Sequence, residues 1–366
     1  MRVLFLTNIP APYRVDFFNE LGKECDLTVL YERRTASDRD NRWISDTNKN
    51  FKSIFLKSVN IRQDAGLSFE VIKFLNKNKF DIFVIGGYST PTAMLAIQIL
   101  KLKRISFLLN VDGGFIKNDR KIAKLIKSYF IGSASWWLST GESTNRYLVH
   151  YGADEANIFK YPFTSIKKSE ILEKNISKEN KLKLREELNI TGENVAISVG
   201  QLIQRKGYDL LIDAWSCMDN NWKLIIIGSG DDREKLEELI KNKNIKNIEL
   251  VDFKVKNELR KYYESADLFI LPTREDIWGL VINEAMAHGL PIITTDRCIA
   301  GKELVTNNKN GFVISLEEIN KIDFYLELIL ANIDDFQSKS LEVSKKYTIE
   351  RMAKKHIDIF RNIISE

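Results

Sequence analysis

Two carboxylates and a glycine stand close together in the second half of the chain, in a spacing that could bind a polar ligand. Residues 274–289 read REDIWGLVINEAMAHG, with Asp276 before Gly279 and Glu284 after it. A glycine just before a helix lets a ligand approach the backbone, and the start of a helix attracts anions. The acids could then accept hydrogen bonds from hydroxyl groups. A structural interpretation stays open here, in which Gly279 makes a turn and Glu284 is a solvated surface residue.

A pair of basic residues follows the first strand predicted in this half. Residues 200–207 read GQLIQRKG directly after the apolar stretch VAISVG, so that Gly200 ends the strand and Arg205 and Lys206 precede a helix. Two cations at the carboxyl end of a strand could neutralise a diphosphate. Two solvated cations beside a turn glycine would give the same pattern.

A Gly-x-Gly sequence at Gly228 and Gly230 partly matches the dinucleotide-binding fingerprint. It follows a predicted strand, and the acids Glu249 and Asp252 come about twenty residues later. However, Arg233 stands where the third glycine is needed, and the strand is the second of its domain. The sequence therefore favours a tight strand-to-helix turn, and an NAD-dependent oxidoreductase is the weaker interpretation.

Two loops of the first half also combine polar and conformationally special residues. In NVDGGF (110–115) Asp112 follows a predicted strand, and the glycines allow close approach of a ligand, although an Asp-Gly turn fits equally well. In NIPAPYRVDFF (8–18) prolines stiffen the loop after the first strand, and Arg14 begins the next helix. A rigid turn with a locally paired Arg14 is the structural alternative.

Positive charge is concentrated in the first half. Residues 1–165 hold 24 Lys and Arg against 16 Asp and Glu, whereas residues 166–366 hold 31 against 34. The basic segment KLKR (101–104) is followed by FIKNDRKIAKLIKSYF (115–130), which mixes lysines with isoleucines. Such a face is typical of an interfacial membrane-binding helix, but also of a solvated helix whose apolar residues belong to the core.

Composition excludes several classes of protein. The three cysteines are widely separated and fit a reducing cytoplasm, and the N terminus reads directly into a strand, so we expect neither disulfides nor a signal peptide. No stretch is apolar for long enough to predict a membrane span. Three isolated histidines argue against zinc and serine hydrolases, and Asp38 and Asp40 read as solvated loop charges, so no metal is expected. Nucleic-acid motifs are absent from the sequence.

Apolar strands alternate with helices and would position these residues. Strands are predicted at residues 3–8, 26–32, 80–87, 105–112 and 136–140, and again at 195–200, 223–228, 248–251, 268–273 and 291–296, with a mostly helical chain after Gly311. This alternation is typical of parallel sheets covered on both faces. We therefore expect an α/β protein of two doubly wound Rossmann-like domains, residues 1–165 and 166–345, joined by a linker near 163–190. A C-terminal helix at 346–366 would pack back toward the first domain. Ligands bind such sheets beyond the carboxyl ends of the strands, which predicts a cleft between the domains.

Taken together, these motifs resemble the retaining glycosyltransferases of family 4, whose two Rossmann-like domains face each other across a cleft (the GT-B fold). The resemblance is carried by RKG after the first strand of the second domain and by PTREDIWGLVINEAMAHGLPIITTD. IPAPYRVDFFNELG and the passage GEST…YLVHYGA…IFKYPF extend it over essentially the whole chain. Two positions depart from the family: its first acid, usually Glu, is Asp276, and Gln201 stands where many members have Arg.

The resemblance implies a role for each candidate. Glu284 would accept hydrogen bonds from ribose hydroxyls, Asp276 would contact the donor sugar, and Asp112 would serve as the second catalytic candidate, on the donor or the acceptor side. Donor binding is also implied for Gly200, Arg205, Lys206, Phe253, Lys254, Gly279, Leu280 and Val281. Lys206 matches the family's phosphate-binding lysine, and Arg205 would replace the charge missing at Gln201. The acceptor-side candidates are Pro12, Tyr13, Arg14 and Gly113.

The implied reaction is transfer of a hexose from a UDP- or GDP-linked sugar to a glycan acceptor, with retention at the anomeric carbon and without a metal or other cofactor. The basic first domain then fits an anionic membrane surface and a lipid-linked acceptor, at the cytoplasmic face of the cell membrane, in surface polysaccharide synthesis. No nucleic-acid partner is expected. Alternatives of similar architecture are a non-catalytic nucleotide-sugar-binding subunit, a nucleotide-sugar epimerase and a phosphorylase.

Overall fold

The chain folds into two compact units. A computed structural model describes residues 1–34, 49–62, 65–218 and 221–365. The first unit comprises Met1–Ser165 and Thr348–Glu366, and the second comprises Ile166–Tyr347. The acids Asp38 and Asp40 lie outside the described residues.

In the part of the chain that the structure describes, the first unit is built on a seven-stranded parallel sheet. The strands up to Lys160 are β1 (Arg2–Thr7), β2 (Asp26–Tyr31), β3 (Lys52–Phe55), β4 (Val59–Arg62), β5 (Ala65–Leu67), β6 (Ile82–Gly86), β7 (Leu108–Val111), β8 (Trp136–Ser139) and β9 (Ile158–Lys160). Seven of them form the sheet in the order β3-β2-β1-β6-β7-β8-β9, while β4 and β5 form a separate antiparallel pair. The helices of this part are α1 (Pro12–Leu21), α2 (Pro91–Leu102), α3 (Lys121–Ile131) and α4 (Glu142–His150). The apolar side chains of β1 and β6 are buried, as their near-continuous apolar sequences require.

The described residues of the second unit form a similar sheet of six parallel strands. They are β10 (Asn194–Val199), β11 (Trp222–Ile227), β12 (Ile248–Val251), β13 (Leu268–Leu271), β14 (Ile292–Thr295) and β15 (Gly311–Ile314), in the order β12-β11-β10-β13-β14-β15. The helices are α5 (Lys178–Glu187), α6 (Tyr208–Trp215), α7 (Arg233–Asn242), α8 (Lys256–Ser265), α9 (Leu280–Ala287), α10 (Ile299–Leu304), α11 (Ile322–Leu330) and α12 (Ile333–Ser344). Together the two sheets confirm the predicted fold class of two doubly wound Rossmann-like domains.

The last helix, α13 (Ile349–Ser365), belongs to the first unit and packs against α1. Its apolar face is buried, and the ring of His356 lies 4.7 Å from that of Phe17, measured between centroids. Burial lowers the pKa of His356 to about 4, so the imidazole is neutral in this core.

Some elements differ from the sequence-based expectations. The chain after Gly311 is mostly helical, as expected, but its first residues, Gly311–Ile314, form the edge strand β15, which the sequence did not predict. Much of the expected linker is also ordered, because α5 lies in it. Asp267 accepts bonds from Lys181 Nζ at 2.9 Å and Arg185 Nη2 at 2.6 Å, which fastens α5 to the start of β13.

Candidate functional site

The sheet of the second unit changes its winding direction between β10 and β13. In doubly wound sheets this switch point opens a crevice at the carboxyl ends of the strands, where ligands bind. The 3₁₀ turn Gln204–Lys206 after β10 and the loop 272–279 after β13 both lie there. The basic and acidic candidates of the sequence are therefore brought to one place.

Lys206 and Asp276 form a buried ion pair between these two loops. Lys206 Nζ donates to Asp276 Oδ2, and both side chains are almost fully buried. Arg205 Nη1 lies 3.8 Å from Asp276 Oδ1 and donates to the carbonyl oxygen of Glu275 at 2.7 Å. Two cations thus surround one carboxylate, which leaves this group of three with a net positive charge.

Glycines allow the two loops to approach each other and the start of α9. Gly207 has φ +71°, and a Cβ there would lie 2.1 Å from the carbonyl oxygen of Pro272. Gly279 is the N-cap of α9 with φ +98°, and a Cβ there would lie 2.8 Å from Cys298 Sγ and 3.6 Å from Asp276 Oδ2. The carboxylate of Asp276 therefore lies beside the N terminus of α9, the position that favours an anion.

Glu284 lies in α9, half-buried, and a tyrosine holds its carboxylate. Tyr263 Oη donates to Glu284 Oε2 at 3.3 Å, and the ring of His288 stacks on Tyr263 with 5.2 Å between centroids. Burial and the Glu284 carboxylate raise the pKa of Tyr263 well above its usual range, so the phenol stays protonated and can donate. Nothing in the sequence around Tyr263 indicates this contact, which joins positions 21 residues apart.

The other donor-side candidates lie at the same edge of the second sheet. Leu280 and Val281 form the first turn of α9. Phe253 and Lys254 follow β12 in the loop before α8, and both are half-buried. Gly200 directly follows β10, and a Cβ there would lie 2.8 Å from Tyr208 Oη.

The Gly-x-Gly sequence after β11 has a packing explanation. A Cβ at Gly228 would lie 1.9 Å from the carbonyl oxygen of Gly200, and one at Gly230 would lie 2.4 Å from that of Leu202. Arg233, at the position of the missing third glycine, pairs with Asp252 at 2.8 Å. The glycines therefore allow two strand-end loops to touch, which favours the tight-turn interpretation over a nicotinamide site.

The first unit has a polar pocket at its own switch point, between β1 and β6. The cavity measures ≈ 160 Å³. Its lining residues come from the ends of β1, β6 and β7 and from α1 and are Thr7, Asn8, Tyr13, Arg14, Gly86, Gly87, Ser89, Thr90 and Asp112. Three of the predicted residues of the first half, Tyr13, Arg14 and Asp112, thus share one pocket.

Arg14 and Asp112 form the charged centre of this pocket. Arg14 Nη2 lies 2.5 Å from each carboxylate oxygen of Asp112. Asn110 Nδ2 donates to Asp112 Oδ1 at 2.8 Å, and Tyr161 Oη donates to the same oxygen at 3.2 Å. Burial alone would lower the pKa of Arg14, but the Asp112 carboxylate outweighs it and raises that pKa, so the guanidinium stays charged. Arg14 Nη1 is buried and has no hydrogen-bond partner among the described residues.

The remaining acceptor-side candidates lie around the same elements. Pro12 begins α1, and the ring of Tyr13 packs edge-on against Phe163 with 5.7 Å between centroids. Gly113 follows β7 with φ +149°. The sequence-based reasoning thus placed these residues at the strand ends, but it missed Asn110 and Tyr161, which hold Asp112.

Glu32 is a further buried carboxyl beside this pocket that the sequence did not reveal. It directly follows β2, and the hydroxyl of Thr90 donates to its Oε1 at 2.6 Å. Burial raises the pKa of Glu32 from 4.5 to about 7. Glu32 is therefore partly protonated at neutral pH.

Among residues 1–34, 49–62, 65–218 and 221–365, no helix is long and apolar enough to cross a membrane. The same residues contain no group of three or more His, Cys, Asp or Glu side chains placed to hold a metal ion.

Comparison of sequences relates the second unit to known proteins. Residues 180–348 match the family described as glycosyl transferases group 1. An uncharacterized glycosyltransferase of Haemophilus influenzae is 34% identical over 163 residues, 43% of this chain and 46% of that protein. An uncharacterized 41.2 kDa protein in cps region of Klebsiella pneumoniae is 25% identical over 317 residues, 83% of this chain and 84% of that protein. The amylovoran biosynthesis glycosyltransferase AmsD of Erwinia amylovora is 26% identical over 186 residues, 50% of this chain and 52% of that protein. The chain thus spans about half the length of the first and third of these relatives.

Solved structures share the fold over the full chain. A glycosyltransferase from Rickettsia africae superposes with a TM-score of 0.76 at 16% identity, covering 100% of this chain and 99% of that one. Anabaena Alr3699/HepE in complex with UDP-glucose superposes with a TM-score of 0.74 at 16% identity, covering 100% of both chains. Residues 180–348 thus match the group 1 glycosyl transferases, and the two Rossmann-like units share the GT-B fold of solved glycosyltransferases.

Proposed function

We propose that the protein transfers a hexose from a nucleotide-diphosphate sugar to a glycan acceptor, with retention at the anomeric carbon, as expected for family 4. The observation that carries the proposal is the cluster at the second switch point. There Lys206 and Arg205 meet the N terminus of α9 while Glu284 lies farther along the same helix. Cations that bind a diphosphate and a carboxylate that accepts hydrogen bonds from ribose hydroxyls therefore lie in one crevice, as a nucleoside diphosphate requires. The complex of Alr3699/HepE with UDP-glucose supports a UDP-linked donor, and a GDP-linked donor is the alternative that binding must test.

Each donor-site residue then has a distinct task. The amides of Gly279, Leu280 and Val281 and the cation of Lys206 bind the diphosphate, with Arg205 as the second cation. Glu284 accepts hydrogen bonds from the ribose hydroxyls, held in place by Tyr263. Phe253 and Lys254 border the base, and Gly200 leaves room for the backbone to approach the donor.

Asp276 changes partner in this proposal. In the structure its carboxylate neutralises Lys206 beside the N terminus of α9. A diphosphate brings two or more negative charges to the same place and displaces the carboxylate from Lys206. Asp276 is then free to accept a hydrogen bond from the donor sugar.

Catalysis in this proposal is mainly electrostatic. As the bond to the sugar breaks, negative charge develops on the diphosphate and positive charge on the anomeric carbon. Lys206, Arg205 and the α9 amides stabilise the departing diphosphate, so we propose that no divalent metal is required. No side chain is assigned as a covalent nucleophile.

The pocket of the first unit is proposed as the acceptor site. Its Arg14 is neutralised by Asp112, so the pocket suits a neutral polyol better than an anion. Asp112 offers carboxylate oxygens to an acceptor hydroxyl, Tyr13 lines the same pocket, and Pro12 and Gly113 are proposed as further acceptor contacts. We propose that the acceptor is a glycan, lipid-linked and bound at the inner face of a membrane. The name of AmsD, an amylovoran biosynthesis glycosyltransferase, supports a place in polysaccharide synthesis.

A binding screen followed by a transfer assay tests this function. Thermal-shift measurements with UDP- and GDP-sugars should identify the donor, and transfer to lipid-linked glycans should follow with that donor. Glu284→Gln should abolish donor binding while the protein stays folded. Binding without transfer would favour a non-catalytic sugar-nucleotide-binding subunit, and turnover of the donor without an acceptor would favour an epimerase.

A further inference from the structure

The helix α3 exposes a stripe of apolar side chains to solvent. Ile122, Leu125, Ile126 and Tyr129 are 73%, 70%, 45% and 46% exposed. Their spacing of three, four and seven residues places them on one face of the helix. The sequence left open whether the isoleucines of this segment belong to the core. Ile122 and Ile126 do not.

The opposite face of α3 attaches the helix to the first unit. Ile131 is fully buried, and Phe130 packs against the hydrophobic core of this unit. Lys127 Nζ lies 2.8 Å from Asp119 Oδ2 and 5.1 Å from the ring centroid of Tyr151. A different face of α3 thus packs against the core, so the exposed apolar stripe is not the core-facing side of the helix.

The C-terminal end of α2 continues this surface. Tyr129 Oη donates to Gln98 at 2.9 Å, and Lys101 Nζ lies 4.1 Å from the centroid of the Tyr129 ring. Leu102, the last residue of α2, is 78% exposed. The apolar surface thus spans two helices, which is more than the isolated exposed apolar residues that are normal on soluble proteins.

Positive charge surrounds the stripe. Residues 116–131 contain five Lys and Arg and a single acid, Asp119, which is already bound by Lys127 and Tyr151. The exposed side chains of Arg120, Lys121 and Lys124 lie within or next to α3, and Lys103 and Arg104 directly follow α2. Apolar side chains flanked by cations complement an anionic bilayer, in which the side chains enter the acyl region and the cations meet the phosphates. A protein partner would not require so uniform a sign of charge.

We infer that α3 and the end of α2 form a membrane-insertion surface, in which Ile122, Leu125, Ile126, Tyr129 and Leu102 enter the interface of an anionic bilayer. The inference deepens the membrane location in the proposed function and rests on it for its biological context. α3 would lie parallel to the membrane plane, with its Ile131 side facing the protein. The first unit would then be held at the surface that presents a lipid-linked acceptor.

Flotation with lipid vesicles tests this surface. The full chain is mixed with vesicles of equal parts phosphatidylglycerol and phosphatidylethanolamine, or of phosphatidylcholine alone. We expect flotation with the anionic vesicles and about fivefold weaker partitioning for each lysine removed by Lys121→Gln or Lys124→Gln. The double variant Ile122→Ser/Leu125→Ser should lose flotation, whereas Leu182→Ser, an exposed leucine on α5, serves as the matched control and should float as the original protein does. Thermal melting checks that all variants are folded.

Three outcomes would overturn the inference. The first is unchanged flotation of the Ile122→Ser/Leu125→Ser protein, and the second is equal flotation with phosphatidylcholine alone. The third is a dimer in light scattering that the double variant dissociates, without vesicle binding, which would identify a second copy of the chain as the occupant. Transfer to a soluble glycan acceptor is measured in parallel and should be unchanged in the double variant. Failure of transfer in the original protein, together with normal flotation, would refute the proposed function and leave the insertion surface intact.

Discussion

Replacing Asp276 by asparagine should tighten the binding of a free nucleoside diphosphate. In the structure the carboxylate occupies the place between Lys206 and the N terminus of α9 where the diphosphate is proposed to bind. Asparagine keeps the shape of the side chain and removes its charge. The substitution therefore isolates the electrostatic competition between Asp276 and the ligand.

The size of the effect follows from the charges at this site. A carboxylate and a phosphate oxygen about 4 Å apart repel each other by about 4 kcal/mol at an effective dielectric constant of about 20. Movement of Asp276 away from Lys206 relieves most of this repulsion in the original protein. We therefore expect a net gain of about 1–2 kcal/mol, or roughly tenfold in Kd for UDP.

The same substitution should destabilise the ligand-free protein. Removing one partner of a buried ion pair leaves the ammonium of Lys206 without its anion, which costs about 3 kcal/mol. For a unit of this size the loss lowers Tm by roughly 6–12 °C. UDP should then raise the Tm of Asp276→Asn more than that of the original protein, because the ligand supplies the missing anion. Turnover should fall, since asparagine cannot replace the carboxylate at the donor sugar.

Calorimetric titration with UDP and thermal melting measure both effects. Asp209→Asn is the matched control, because it removes a carboxylate that pairs with Arg274 at 2.6 Å on the loop after β13, without touching Lys206. A folded Asp276→Asn protein whose UDP affinity is unchanged or weaker would refute the competition. The residue would then be only a sugar contact, as the family resemblance implies.

Three further predictions concern other buried polar groups. Asp267→Asn should lower the free energy of unfolding by about 3–5 kcal/mol in urea titration, because it leaves the buried Lys181 and Arg185 without their anion. A loss of under about 1 kcal/mol would mean that solvent already screens these three charges. Tyr263→Phe should weaken UDP binding a fewfold by releasing Glu284, and equal affinities for UDP would contradict the positioning role of the phenol. The pKa of Glu32 is about 7 in the folded protein and 4.5 ordinarily. Between pH 4.5 and 7, Glu32 is therefore protonated in the folded protein and ionised in the unfolded chain. Stability should therefore fall by up to about 3 kcal/mol as pH rises from 4.5 through 7, and Glu32→Gln should remove this decline in denaturation curves across that range; an unaltered pH profile would disprove it.

The fold could be predicted because local patterns determine it. All ten predicted strands are present, since each is a run of β-branched or aromatic residues long enough to stand out between helices. The edge strands β3, β9 and β15 were missed because they are only three or four residues long, and β3 and β9 also contain lysine, so that their pairing depends on a neighbouring strand. The helix α5 was missed for a related reason: its sequence KENKLKLREE is polar nearly throughout, and it is held by the long-range contacts to Asp267.

For the candidate sites, too, local motifs could be predicted, whereas contacts between residues far apart in the sequence could not. Motif position placed Lys206 and Asp276 at strand ends, and the switch points of the sheets then bring such loops together. The sequence did not reveal that these two residues pair with each other, because 70 positions separate them. Tyr263 and Glu32 were missed for the same reason, since their importance comes from burial and from a partner on another element.

Transfer of labelled sugar tests the central claim most directly. The donor found in the binding screen, with its sugar isotopically labelled, is incubated with a lipid-linked glycan in the presence of a metal chelator, and the product is analysed by NMR. We predict a labelled glycan with the anomeric configuration of the donor, formed by the original protein and not by the folded Glu284→Gln variant. A product of inverted configuration, a strict need for added manganese, or equal transfer by Glu284→Gln would contradict the account.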